Sequence, residues 1–544
     1  MKKLLPILFL LFAQAGISQN TVGTLVYNSD LSLDGYNLFY PNLQSDVFLV
    51  DNCGQVINRW VGNENTRPGI SAKLRKDGVL IKAMNSIEVQ SYLGAGGSGG
   101  VIEARTWDNE LLWQHVDSDS LSKQHHDFEL MPNGNILYIN WFRLFKEEII
   151  ELGFDTINNS MDELWFDCIK EYNPELDSIV WQWCSYNQLI QEFNPDISNY
   201  GVVSEHPDLI DINYHEFSFN RADWMHSNAV AYNKELDQVA LCVRNFNEVW
   251  IIDHSTTTLE ATSDAGGNSN KGGRLLHRWG NPATYNMGDS LSRKLFFPHN
   301  AKWIQDDISE YDGEILVYNN VIEPSFSLGA MYETPTEENG NYEIEEGVFL
   351  PKELTREISH PDTTKNTSGQ GSNIVLLENG NFFMQPAIQG RGFEITDEEE
   401  VVWEYVIPMA FGEEVPQGTT LSPSNNFNFS MSKYAANYSA FDGKDLSPKG
   451  YLELDPNTEF CMITSTENLF GSTSIEIMSI PVHSNLEINS DKEIEIYLMD
   501  TYGQLLSSHS IKNGLNQIDI NHLANGLYFI VSPDQKIRLK FTKL

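Results

Sequence analysis

The chain has 544 residues and a formal charge of −41, with 35 Lys and Arg against 76 Asp and Glu, so a phosphate backbone or an anionic lipid surface would be repelled. Beyond its first residues no stretch approaches the roughly 18 to 20 consecutive apolar residues of a membrane-spanning helix. The length accommodates several domains, or one large β-fold with an appendage.

The chain opens MKKLLPILFLLFAQAGISQN: two lysines, an apolar run from Leu4 to Ala13, then Gly16 and Ser18 placed for cleavage before Gln19. Residues 1–18 are predicted to be a signal peptide. Five cysteines follow, an odd number for an oxidising compartment. Cys168 and Cys184 lie equally far from a turn near Leu176, so a bridge across that hairpin is geometrically reasonable. Cys53, Cys242 and Cys461 sit in apolar stretches and read as core packing. No D-x-[DN]-x-[DN]-G loop for Ca²⁺ is found.

Two patterns then alternate from residue 45 to 410. One is a strand pair closing on tryptophan: VFLVDNCGQVINRW, VIEARTWDNELLW, IKEYNPELDSIVWQW and GFEITDEEEVVWEY. The other is a hairpin with a Gly- or Asp-containing turn: AKLRKDGVLIKA, FELMPNGNILYIN, AVAYNKELDQVALCVRN, AKWIQDDISEYDGEILVYNN and NIVLLENGNFFMQ. Paired hairpins repeating without a convincing long helix predict four-stranded blades, hence an all-β, six-bladed β-propeller over residues 19–465. Five units are clear, and the interval from Asn320 to Glu357 leaves room for a degenerate sixth. A stacked solenoid, with shorter and more regular repeats, is the competing architecture.

After a linker, STENLFGSTS, residues 474–544 read as six or seven short alternating strands with turns at Tyr502-Gly503, Asn513-Gly514 and Asn525-Gly526, a small β-sandwich.

Three of the second-pattern hairpins begin with histidine: His126, His226 and His299. In the first and last hairpins that place holds Ile70-Ser71 and Ser372-Asn373. Innermost strands of a propeller start around one end of its channel, so these side chains are expected to converge. His226 and Arg244 are each nine residues from the turn at Glu235 and should face one another. The other returning strands end in Asn140, Asn319-Asn320 and Gln385. His126 is preferred to His125 because it shares parity with Phe128 and Leu130, and Asp127 has the other parity. His115, His254 and His277 lack this placement and read as structural.

Neutral imidazoles bind transition metals, but Arg244 would repel a cation beside His226. Arginine with several imidazole donors also suits a tetrahedral oxyanion, with one neutral imidazole as nucleophile for sulfuryl or phosphoryl transfer. A non-catalytic ligand-binding propeller and a His-ligated metalloenzyme are the alternatives.

HHDFELMPNGNILYI, WMHSNAVAYNKELDQVALCVRNFNEVWIID and FPHNAKWI resemble, in residues, order and spacing, three segments of the bacterial aryl-sulfate sulfotransferases. These are six-bladed propellers that move a sulfuryl group from a phenolic sulfate ester to a phenol without nucleotide or metal. The resemblance implies a sulfohistidine at His299, sulfuryl binding by His126, His226 and Arg244, and support of the substrate pocket by Asn228, with His125 the alternative to His126. It implies no cofactor and the same pocket for transfer to phenol or to water. Two features depart from the best-known members: blade-like sequence starts by Asp46, leaving little room for a preceding β-sandwich, and the acidic insert Val321 to Glu357 is placed to reshape the entrance. The tail is similar to C-terminal sorting domains of the Bacteroidetes type IX secretion system, with EIYLMDTYGQLL, NGLYFI and a basic KIRLKFTKL end, although Ile480-Pro481 replaces the usual Asn-Pro. It implies secretion or cell-surface display through that machinery. The alternative for the tail is a carbohydrate-binding or adhesive sandwich, for which no exposed aromatic row is evident.

Overall fold

A computed structural model describes residues 20–543 except 91, 216–220, 306–308, 323–325, 459–460, 462–474, 478–481, 483, 491, 500–504, 525 and 533–537. The signal peptide, the linker from 465 to 474, the Tyr502-Gly503 turn and Ile480-Pro481 lie outside the described residues. Two compact units divide after Asn457.

The larger unit is a six-bladed β-propeller. Its second to fourth sheets follow the chain: Thr66–Leu74 to Leu111–Val116, Ser122–Leu130 to Ser178–Cys184, and Ser227–Asn233 to Leu275–Trp279. The fifth joins His299–Trp303, Ile315–Ile322, Phe326–Tyr332 and Arg356–Ile358. The sixth, Asn373–Leu376 to Val401–Val406, takes Gly23–Tyr27 onto its outer edge. Both ends of the unit therefore tie into neighbouring blades.

The remaining blade differs from the expectation. It is assembled from Gly35–Pro41, Val47–Asp51 and Val56–Trp60 with Asn428–Ala435 as the fourth strand, beside Gly35–Pro41. The interval from Asn320 to Glu357 supplies outer strands of the fifth blade and a short hairpin, Ile344–Glu345 with Val348–Phe349. A blade split between the two ends of the domain leaves no contiguous repeat in the sequence. It also takes up the residues before Asp46, because Gly35–Pro41 is already a blade strand.

Side-chain bonds close the inner ring from blade to blade. Leu74 N donates to Tyr434 Oη (2.9 Å) and Ser71 Oγ to Asp127 Oδ1 (2.7 Å). Val230 N reaches Asp127 Oδ2 (3.3 Å), and Asn228 Nδ2 donates to the Pro298 carbonyl (2.8 Å). Ile374 N bonds Asn300 Oδ1 (3.0 Å), while Asn373 bonds the Met431 backbone in both directions, at 2.9 and 3.1 Å. Each bond satisfies a polar group that burial would otherwise penalise by about 1–3 kcal/mol.

The tryptophan pattern has a matching role farther out. Indole N–H groups of Trp60, Trp183, Trp279 and Trp403 donate to the carbonyls of Thr106, Gly273, Pro351 and Asn52, outside their own sheets. A large apolar body with one polar tip fits a seam between sheets, where both halves are satisfied.

Cys168 and Cys184 pair across adjacent strands as a disulfide. Cys53 and Cys461 are also disulfide-bonded, not the free core thiols expected, and Cys242 is the free, buried cysteine. Four of the five cysteines are thus in disulfides, and Cys242 is the one the odd number leaves over.

The C-terminal unit contains a three-stranded sheet (Ile475–Ile477, Asn485–Ser490, Gly514–Asp519) and a four-stranded one (Leu505–Ile511, Ile494–Met499, Gly526–Val531, Arg538–Lys543). Alternating residues such as Leu486, Ile488, Ile496, Leu498 and Ile530 fill their common core, as period-two strands of a sandwich require.

Candidate active site

A recurring irregularity sets the site. Ile70, His126, His226, Asn300 and Ser372 adopt positive φ, between 52° and 97°, within or at the start of successive inner strands. Four of these strands carry a register shift there: Pro68/Ala72, Ser227/Ala229, His299/Lys302 and, opposite His126, Tyr138/Ile139. Left-handed backbone at a non-glycine residue costs about 1–3 kcal/mol, and a bulge re-aims the side chains around it. His126 and His226 occupy the left-handed position itself. In the fifth blade Asn300 takes it, and His299 lies one residue earlier, where the third blade has His125.

The bulges bring the four candidates into one cavity of about 410 Å³, lined by His126, His226, His299, Arg244, Arg221 and Phe429 among others. The His126 and His226 rings are edge-to-face at 4.6 Å, and Phe429 lies 5.9 Å from both the His126 and His299 rings. An adjoining lobe of about 670 Å³ shares His226, Arg244 and Arg221, and is walled by Trp165, Trp224 and Phe246. Arg244 packs its guanidinium 4.6 Å over the Phe297 ring, which keeps the planar group oriented while it stays charged.

Each histidine has a different anchor. His226 Nδ1 is 2.5 Å from Asp223 Oδ2, and Asp223 Oδ1 accepts from Trp141 Nε1 at 3.0 Å. His299 Nδ1 lies 3.0 Å from the Phe297 carbonyl and 2.6 Å from Asn320 Nδ2, which itself donates to Phe297 O. His126 Nδ1 is 2.8 Å from His125 Nδ1. His125 is fully buried, stacked on Trp141 at 4.1 Å, with Nε2 3.3 Å from Asp167 Oδ1. Asn228 is likewise fully buried and reaches the Pro298 carbonyl next to His299. Neither His125 nor Asn228 lines the cavity; they back the residues that do.

Burial, with His226, His125, His299 and Arg244 around it, holds the His126 imidazole well below its ordinary pKa. Burial and Arg244 do the same to His299, against the opposing Phe297 carbonyl. Both rings are therefore neutral at physiological pH. Burial alone would raise the Asp223 carboxyl, but His226 outweighs it and leaves Asp223 ionised below the usual carboxylate range.

Above the pair sits a glycine-rich loop, GAGGSGG at 94–100. A Cβ on Gly97 would fall 2.1 Å from the His126 ring, and one on Gly96 3.6 Å from His226. This loop, Asp223 and Arg221 were not singled out from sequence, where the glycine run was the available signal; Asn320 stood among the polar residues ending the returning strands, without its tie to His299. The histidines set aside as structural have partners elsewhere: His115 with Tyr138, His254 with Glu171 and Asp237, and His277 with the Leu350 carbonyl. Among the described residues no group of three or more His, Cys, Asp or Glu is arranged to hold a metal ion, and no helix is long and apolar enough to cross a membrane.

Residues 476–543 match the secretion system C-terminal sorting domain, which marks the protein for secretion or the cell surface. No curated protein matches the chain. Among solved structures it is similar to a Bacteroides caccae protein of unknown function (10% identity, 74% of this chain and 98% of that one, TM-score 0.41). It is also similar to a putative 6-phosphogluconolactonase from Bacteroides fragilis (10%, 75% and 99%, 0.34) and to virginiamycin B lyase from Staphylococcus aureus (10%, 69% and 86%, 0.29). Residues 37–346, more than half of the chain and including His126, His226, Arg244 and His299, match the arylsulfotransferase (ASST) family, and the chain belongs to that family.

Proposed function

We propose that the protein moves a sulfuryl group from a phenolic sulfate ester to a phenol through a sulfohistidine on His299. The observation that carries this reading is the anchoring of His299: Nδ1 lies 3.0 Å from the Phe297 carbonyl, and the tautomer that donates there leaves the lone pair on Nε2. Its depressed pKa keeps that lone pair available. Arg244, His126 and His226 share the cavity with His299, as a set that binds the sulfuryl oxygens and stabilises their charge as the leaving oxygen departs.

In the first half-reaction Nε2 attacks sulfur and the S–O bond breaks, its electron pair leaving with the aryl oxygen. In the second, a phenol oxygen attacks sulfur and the N–S bond breaks, returning its pair to Nε2. His125 and Asn228 act from behind, the one on His126 and the other on the strand of His299. The partners are small aryl sulfates and phenols for the enzyme, and the type IX machinery for its C-terminal domain.

Steady-state assays with 4-nitrophenyl sulfate and phenol test this. Parallel double-reciprocal lines and a rate that rises with phenol are expected of transfer through a covalent intermediate. Release of 4-nitrophenol unaffected by phenol would instead mark a hydrolase, and no release a ligand-binding propeller.

A further inference from the structure

Asp223 is a buried carboxylate that the transfer chemistry leaves unused. It is 7% exposed and belongs to no blade strand, but a parallel bridge to Trp165 and the Trp165 N to Ala222 O bond (2.8 Å) fix the backbone on both sides. Both of its oxygens are committed, Oδ2 to His226 Nδ1 at 2.5 Å and Oδ1 to Trp141 Nε1 at 3.0 Å. The His226 ring faces His126, Arg244, Arg221 and His299 on its other sides.

Of the three cavity histidines, only His226 has its inner nitrogen directly on a carboxylate; His299 has a peptide carbonyl there and His126 another imidazole. We propose that Asp223 is the positioning residue that makes His226 the group which carries the phenolic proton. This rests on the sulfuryl-transfer reading above. A carboxylate on Nδ1–H fixes that nitrogen as the donor inside the protein and leaves Nε2 to exchange a proton with substrate. In the first half-reaction Nε2 hands a proton to the departing aryl oxygen. In the second, Nε2 takes the proton of the incoming phenol as its oxygen bonds sulfur, restoring the starting state.

Trp141 makes the proposal testable. Its indole N–H requires an acceptor, so in Asp223→Asn the amide turns Oδ1 to Trp141 and Nδ2 to His226 Nδ1. The ring then carries its proton on Nε2 and cannot accept another from phenol. A 4-nitrophenolate leaving group departs without protonation, so the burst and the His299 adduct should persist in this variant. Discharge of the adduct by phenol should slow by about 10²-fold or more, the usual size of general acid–base assistance. Trp141→Phe added to Asp223→Asn frees the amide to turn back and should recover part of that loss. In the unmodified protein, a solvent deuterium isotope effect is expected on discharge and not on sulfation by 4-nitrophenyl sulfate; this measurement needs no variant to fold.

Equal slowing of both half-reactions would make Asp223 merely structural and overturn the proposal, as would unchanged discharge or no isotope effect on it. Absence of any adduct in the unmodified protein would be a different failure, that of the sulfohistidine reading itself.

Discussion

Gly97 lies against His126: its carbonyl accepts the His126 backbone N–H at 2.8 Å, and its missing side chain is the space that the imidazole fills. At φ +82° the backbone is also in the region that glycine tolerates. Gly97→Ala should push the His126 ring off its position. Overpacking of this kind costs about 1–3 kcal/mol, and the same energy lost from transition-state binding lowers kcat/KM about fivefold or more. The check is kcat/KM alongside the melting temperature; a fully active variant would remove the loop from the site.

The pH dependence of activity should be set by depressed imidazoles. Burial, reinforced by Arg244, holds His299 well below its ordinary value, so the nucleophile stays neutral as pH falls through about 6.5. The acid limb of kcat/KM assigned to His299 is expected well below that pH. Stability has the matching sign. The unfolded chain takes up protons at His126 and His299 that the folded one resists, so their contribution is present above about pH 6.5 and is lost as pH falls below it.

His254 behaves in the opposite way. Its ring bridges Asp237 (Nδ1, 2.7 Å) and Glu171 (Nε2, 3.1 Å) on the neighbouring blade. Burial works against the charged ring, but the hydrogen bonds and charges of Glu171 and Asp237 prevail and raise its pKa. Its contribution is therefore complete below about pH 6.5 and is lost as pH rises through the raised folded value. His254→Gln should lower stability by about 1–3 kcal/mol at pH 6, with a smaller deficit at pH 9, measured by denaturant titration at both pH values.

Cys242 should be silent towards thiol reagents in the native state. It is fully buried, and burial pushes its thiol well above the ordinary range, so little of the reactive thiolate exists. Titration with an aromatic disulfide should count no thiol in the folded protein and one after denaturation. More than one would contradict the disulfide bonding of the other four cysteines.

The propeller was legible because its blades repeat local signals: a turn, an inner hairpin and, in four of them, a tryptophan whose N–H crosses to another sheet. What stayed hidden is non-local. The first blade unites Asn428–Ala435 with Gly35–Pro41, and the disulfide bonding of Cys53 and of Cys461 leaves no trace in spacing. The convergence of His126, His226 and His299 was legible through repeat position, and that of Arg244 through its register opposite His226. Strand parity, however, does not survive the left-handed turn at His126, so parity was the wrong ground for preferring it to His125. Asp223 escaped because it lies outside the blade strands, where no periodicity marks it.

The central claim is that His299 carries the sulfuryl group, and mass spectrometry after brief exposure to 4-nitrophenyl sulfate tests it most directly. The expected result is one added sulfuryl group on a peptide containing His299, discharged by phenol and absent from His299→Ala. An unmodified His299 peptide during turnover, or an adduct that survives in His299→Ala, would contradict it.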